Sequence, residues 1–149
     1  MKYDKIDKKL INELIEDGRI SYVELAEKVG ISRVAVKERI QALKAEGVIE
    51  KFTITVNSEK FGKQVSAFFE VDVEPKQLQL VAQNLADNRN VASIYQMTGP
   101  STLHMHVLVE DFKKLEEFIN DELYSVQGIT RVESSILLKR FKSRSGYKL

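Results

Sequence analysis

Arg33, Lys37, Arg39 and Lys44 crowd into one short stretch, with Gln41 among them. Guanidinium and ammonium groups at that density neutralise phosphates, and an arginine fork or a glutamine amide can also read the edge of a base. Ser32 stands just ahead as a helix N-cap, and Val36, Ile40 and Leu43 recur at i, i+4 and i+7. The cations therefore ride on a helix with one apolar stripe. With that stripe turned inward, steps of about 100° per residue place Val34, Lys37, Glu38 and Gln41 on the outer face. Ser32 and Arg33 occupy the amino end, which enters a major groove first. Arg33 matches the O6/N7 pair of guanine, Gln41 suits an adenine from late in the helix, and Lys37 serves a base or a phosphate. Arg39, on the flank of the stripe, suits a phosphate or a structural pair with a carboxylate of the first helix. Val34 and Ala35 fit a groove, for instance against a thymine methyl. The candidate DNA contacts are thus Ser21, Ser32, Arg33, Val34, Ala35, Lys37, Arg39 and Gln41.

Positioning such a helix takes neighbours. Ser21-Tyr22-Val23-Glu24 has the spacing of a capping box, in which the Ser and Glu side chains satisfy each other's free backbone N–H groups. Val23, Leu25, Ala26 and Val29 follow at mostly helical spacing, Gly30 supplies a positive φ, Ile31 plugs the corner, and Gly47 stops the second helix. Two short helices around a Gly-Ile turn form a helix-turn-helix. Upstream, Asp4 caps a first helix with Ile6, Leu10, Ile11, Leu14 and Ile15 on its apolar face, ended by Gly18 and packed behind the pair. Downstream, Lys51 to Val56 (KFTITV) has the β-branched alternation of a strand, and Asn57 to Gly62 reads as turn and hinge. The expected organisation is a DNA-binding domain over 1–50, a strand and hinge linker over 51–65, and a second domain over 66–149.

In that second domain the period changes. Ser66 to Val73 alternates, with Ala67, Phe69, Val71 and Val73 on one face. Pro75 suits the first turn of a helix striped by Leu78, Val81, Ala82 and Leu85. Strands follow over Val91 to Met97 and Leu103 to Val109, then a helix capped by Asp111, then a strand over Ile129 to Leu138. The order βαββαβ predicts a four-stranded antiparallel sheet with two helices on one face, an α+β architecture. The other face leaves Phe68, Ile94 and Leu108 exposed, so it is expected to pack on the sheet of a second copy, giving at least a dimer. His104 and His106 share that face at i, i+2. With no cysteine and no third ligand nearby they read as two histidines at a subunit interface, a pH-sensitive interface and a metal site being the lesser alternatives.

The net charge of +1 hides a partition. Residues 1–64 carry 13 Lys/Arg and 11 Asp/Glu, residues 65–138 carry 5 and 11, and residues 139–149 carry 5 and none. Basic ends around an acidic middle direct the ends to a polyanion. The absence of cysteine excludes disulfides and thiolate metal sites and fits a reducing compartment. The amino-terminal MKYDKIDKKL lacks the apolar core of a signal peptide, and no run approaches the ~18 residues of a membrane span, so a soluble cytoplasmic protein is expected.

The whole chain resembles the Lrp/AsnC (feast/famine) regulators. The resemblance is carried by Ile6-Asp7, Asp17-Gly18-Arg19-Ile20-Ser21, Glu24-Leu25-Ala26, and Val29-Gly30-Ile31-Ser32. It continues through Val36-Lys37-Glu38-Arg39-Ile40, Leu43, Glu46-Gly47-Val48-Ile49, the hinge 57–62 and Thr98-Gly99. It implies a winged-type trihelical helix-turn-helix domain, then a ferredoxin-like (RAM) domain that binds effector and oligomerises. It further implies double-stranded DNA as partner, homodimers that assemble to tetramers or octamers, and a small effector, usually an amino acid, between dimers. No cofactor is implied. The effector site carried over is Thr98, Gly99, Pro100, Ser101 and Thr102, with Ser134, Ser135 and Ile136 of the last strand. Backbone N–H groups and two hydroxyls at that loop could hold a carboxylate. Ser101 and Thr102 stand where the family usually has an aromatic residue and an Asp, the latter a partner of the ligand amine. Sirohaem decarboxylases resemble the same family and reuse both domains for tetrapyrrole chemistry. Here the basic helix is kept and no acid/base set converges, so a regulator is the expected function.

Overall fold

The computed structural model describes residues 3–99 and 102–141. The chain parts into two compact units between Val56 and Asn57.

The first unit is three helices, α1 (Lys5–Glu16), α2 (Tyr22–Val29) and α3 (Arg33–Ala45). Each opens on the cap its sequence offers. Asp4 and Ser21 both complete capping boxes, with Asp7 and Glu24 as reciprocal partners, and Ser32 Oγ accepts from the Ala35 N–H at 3.1 Å. Gly30 sits at φ 79°, a left-handed corner that a Cβ would strain. Leu10, Leu25, Val36 and Ile40 meet at the centre, essentially without exposure, and Ile6, Leu14, Ile31 and Ile49 seal the rim. One terminus differs from expectation. α1 stops at Asp17, whose Oδ1 accepts from the Arg19 N–H at 2.8 Å, while Gly18 is not among the glycines at positive φ. An Asx turn ends the helix, not a glycine cap.

Residues 51–56 form no strand, contrary to the expectation for KFTITV. β structure needs a neighbouring ladder, and the four paired strands of the sheet are all drawn from residues 65–136. Phe52, Ile54 and Val56 stay 48%, 77% and 49% exposed.

The second unit runs β1 (Val65–Val73), α4 (Leu78–Ala86), β2 (Val91–Gln96), β3 (Thr102–Val109), α5 (Phe112–Phe118, continued by a π-helical turn to Tyr124) and β4 (Ile129–Ile136). A short 3-10 turn, Glu59–Phe61, precedes it. The strands lie in the order β2-β3-β1-β4, all neighbours antiparallel. Pro75 lies in a turn ahead of α4 rather than in its first turn, since the Gln77 N–H closes on the Glu74 carbonyl at 2.8 Å before the helix begins. Val65, Ala67, Phe69, Val71 and Val73 of β1 and Leu103, Met105, Val107 and Val109 of β3 face the helices. There they pack on Val81 and Leu85 of α4 and Leu115 and Phe118 of α5. On the opposite, open face Phe68 is 46% exposed, as the alternation requires. Ile94 is not there. It pairs with Met105 and packs on the helix side, because the register shifts between Val91 and Ser93 and turns Ser93 and Tyr95 outward instead. Among the described residues no helix is long and apolar enough to cross a membrane.

Candidate nucleic-acid interface and effector site

The α3 surface follows from its buried stripe. Val36, Ile40 and Leu43 are at most 3% exposed, which turns Val34, Lys37, Glu38 and Gln41 to the outside; Val34 is 65% exposed. Ala35 is half-buried. Ser32 and Arg33 lie exposed at the amino end, where the free N–H groups and the positive end of the helix dipole favour an anion. Among the described residues neither Arg33 nor Lys37 has an ion-pair partner. Ser21 is committed to its own cap, its Oγ accepting from the Glu24 N–H at 3.2 Å. Lys44 lies 5.7 Å from the ring centroid of Phe52, a cation–π contact that ties the end of α3 to the following segment.

Arg39 is placed differently from its neighbours. Its Nη1 lies 2.8 Å from Asp4 Oδ2 and 2.8 Å from Asp7 Oδ1, both at the start of α1. The Arg39 pKa is raised, by the hydrogen bond to Asp7 first and that to Asp4 next. Asp4 is held below its ordinary value, chiefly by the N–H of Asp7 and then by Arg39. Of the two roles open to Arg39 from its sequence position, the structural pair is the one these distances describe.

The effector loop is less complete. Pro100 and Ser101 lie outside the described residues, as does the basic tail beyond residue 141. Gly99 has φ 129°, and the Met97 N–H donates to the Thr102 carbonyl at 3.1 Å, closing the hairpin. Thr102 Oγ1 donates to Asp72 Oδ1 at 2.7 Å, and Arg131 Nη1 donates to Asp72 Oδ2 at 3.2 Å. These contacts lower the Asp72 pKa, the Thr102 hydrogen bond most. Ser134, Ser135 and Ile136 are elsewhere. Thr102 pairs with Asp72, whereas Ser135 pairs with Phe68, so the two groups are about 13 Å apart along β1. They also alternate in face: Ser135 lies with Phe68 on the open side, Ser134 and Ile136 opposite Phe69 and Ala67 on the other. One chain does not bring the expected effector residues together.

The open face brings Phe68, His104 and His106 together as expected and adds partners that sequence reasoning missed. Tyr95, His104, Glu70 and Glu133 form one cross-strand row, and Ser93, His106, Phe68 and Ser135 the next. Between them lies a shallow depression of about 180 Å³. His106 stacks on Phe68 with centroids 4.4 Å apart, and its Nε2 lies 2.7 Å from Ser66 Oγ. Burial, and secondarily Arg140, lower its pKa. The alternation of β1 and β3 was readable; the partners Tyr95 and Glu133 depended on a register and a bulge that no local pattern carries.

Comparison with known proteins joins the two units. The family model of the AsnC-type helix-turn-helix domain matches residues 4–44, and that of the Lrp/AsnC ligand binding domain matches residues 66–147. An uncharacterized HTH-type transcriptional regulator of Pyrococcus furiosus is 37% identical over 134 residues, 90% of each chain. The HTH-type transcriptional regulator LrpA of Pyrococcus horikoshii is 32% identical over 93% of this chain and 99% of its own. Among solved structures, the transcriptional regulator NMB0573/L-Met complex of Neisseria meningitidis superposes with a TM-score of 0.90 at 26% identity. It covers 99% of this chain and 96% of that one. A helix-turn-helix with a basic, exposed α3, a βαββαβ domain following it, and these matches along nearly the full length make the chain a member of the Lrp/AsnC family of helix-turn-helix transcriptional regulators.

Proposed function

We propose that the chain binds double-stranded DNA sequence-specifically through α3, and that a small effector such as an amino acid modulates it by altering assembly. The observation that carries the reading is the amino half of α3. There Ser32 caps the helix, Arg33 and Lys37 project without ion-pair partners among the described residues, and Val34 presents a methyl surface. Arg33 reads a guanine, Lys37 a base or a phosphate, Val34 and Ala35 line the groove, and Gln41 reaches an adenine. Residues 51–65 connect this unit to the second domain, and the protein acts in the cytoplasm.

The effector site is shared between copies. Thr98, Gly99 and Thr102 lie at one end of the sheet and Ser134 to Ile136 on β4, further along the β1 that both groups flank, so a site using both takes one set from each of two chains. The L-Met of the neisserial complex supports an amino-acid ligand. Asp72, beside Thr102, supplies the anionic partner for an amine that residues 101 and 102 do not. A second copy on the open sheet face makes the dimer.

The test is binding to the DNA upstream of the protein's own coding sequence against a scrambled duplex, at two salt concentrations, with and without a pool of amino acids. Selective, salt-sensitive binding that shifts with one amino acid is expected. Equal affinity for both duplexes at both salts overturns the reading.

A further inference from the structure

We infer that Arg39 is a positioning residue, which locks α3 onto the capping box of α1 and so sets the angle at which α3 meets DNA, without touching a phosphate itself. The inference rests on the DNA-binding reading above. Its basis is how four carboxylate oxygens are used. Asp4 Oδ1 accepts from the N–H groups of Ile6 and Asp7 at 2.8 and 2.9 Å, and Asp7 Oδ2 accepts from the Asp4 N–H at 3.0 Å. The remaining oxygens, Asp4 Oδ2 and Asp7 Oδ1, both take Arg39 Nη1 at 2.8 Å. Each carboxylate is thus oriented by backbone amides before Arg39 arrives, so the guanidinium docks on a rigid receptor rather than on two mobile side chains.

Charge weighs the same way. Two carboxylates around one guanidinium leave a local charge of −1, which repels a polyanion. Moving Arg39 to a phosphate would strand Asp7, whose side chain is only 13% exposed. A second tie acts further along α3, where the Tyr3 hydroxyl donates to Glu46 Oε2 at 3.0 Å. The ties at 39 and 46 are about 10 Å apart along the helix axis, enough to fix tilt as well as position. On its other side α1 holds α2: Lys28 pairs with Glu13 at 2.6 Å, and Lys9 Nζ donates to the Lys28 carbonyl. α1 is therefore a brace gripping both helices of the DNA-binding pair, and Arg39 is its grip on the one that enters the groove. Both contacts come from the one nitrogen Nη1, so a lysine ammonium on its different stem keeps only part of that clasp.

The experiment is a double-mutant cycle in the full-length chain, with Asp7→Asn, Arg39→Gln and the pair together. The affinity for a selectively bound duplex is read across salt concentrations, below each variant's melting temperature, with helicity checked by circular dichroism. Asp7→Asn is expected to weaken binding about fivefold, although it removes a negative charge near a polyanion. Arg39→Gln is expected to weaken it about as much, the double variant no more than either, and the slope of log affinity against log salt is expected to stay at the wild-type value. Arg39→Lys should recover part of the loss. Tighter or unchanged binding by Asp7→Asn, with a slope lowered by about 0.9 in Arg39→Gln, overturns the positioning role and makes Arg39 a phosphate contact. A wild-type chain that selects no duplex removes the DNA reading itself; a wild-type chain that selects one, beside an indifferent Asp7→Asn, overturns only the positioning role.

Discussion

Arg33, Lys37 and Arg39 share one helix and one charge, yet their surroundings differ, and Arg39 alone of the three pairs with carboxylates among the described residues. Arg33 stands exposed in the first turn of α3, the position proposed above for base reading; Lys37 sits a turn later on the outer face; Arg39 turns back to two aspartates. The first two separate by what their loss does. Arg33→Ala is expected to cost about 1–3 kcal/mol on the best duplex and little on a scrambled one, because it removes base reading. Lys37→Ala, in a phosphate role, is expected to weaken both duplexes alike and to lower the salt slope by about 1. Titrating both duplexes with both variants over a salt series reads the two effects. A uniform loss for Arg33→Ala would transfer it to the backbone.

At the scale of elements, the helices of the first unit obey local chemistry closely, because caps and corners act within four residues. Gly30 and Gly18 show how finely. Gly30 closes α2 at φ 79° with open space where a Cβ would stand, so Gly30→Ala meets no clash and still strains the backbone. The expected loss is about 1 kcal/mol. Gly18 has no positive φ and would place its Cβ an ordinary 3.7 Å from the Leu14 carbonyl, so Gly18→Ala should be neutral or stabilising by up to about 1 kcal/mol. Thermal melting of the two variants reads the contrast; equal shifts would mean that the sharp corner at Gly30 is not needed. The same locality explains what was legible. Asp4, Ser21, Ser32 and Asp111 were readable as caps, and the βαββαβ order was readable from a period of two giving way to one near 3.6. Ile94 was not, because a bulge one strand-residue long reverses which side chains face the helices, and nothing in VASIYQ marks it. Lys51 to Val56 misled for the opposite reason. Its alternation is real, but a strand also takes a partner, and partnership is not encoded in the six residues themselves. The effector residues are a different case: Thr102 and Ser135 were expected together only between dimers, and the register shows how far apart they lie along β1 within one chain.

For the whole molecule, assembly through the open sheet face, as proposed above, predicts a dependence on acidity. Phe68 lies exposed among polar rows, and His106, stacked on it, already has its pKa lowered by burial and then by Arg140. Covering this face with a second copy removes more water from the imidazole and favours its neutral form further. The groups around it are Glu70 on β1, Tyr95 on β2, His104 on β3, Glu133 on β4 and Arg140 beyond β4. The sign follows from linkage. A base whose pKa is lower in the packed state than in the separated or unfolded one binds protons preferentially when apart. Its contribution is whole above the ordinary histidine range near pH 6.5 and is lost as pH falls through and below it. Light scattering from pH 8 to pH 5 should therefore show the assembled mass falling towards the single chain on the acid side. His106→Asn, which keeps a polar partner for Ser66 without a titrating ring, should flatten that dependence. An unchanged acid transition in His106→Asn would move the switch to Glu70, His104 or Glu133, and a mass that never exceeds the single chain at pH 8 would remove the open face as the site of assembly.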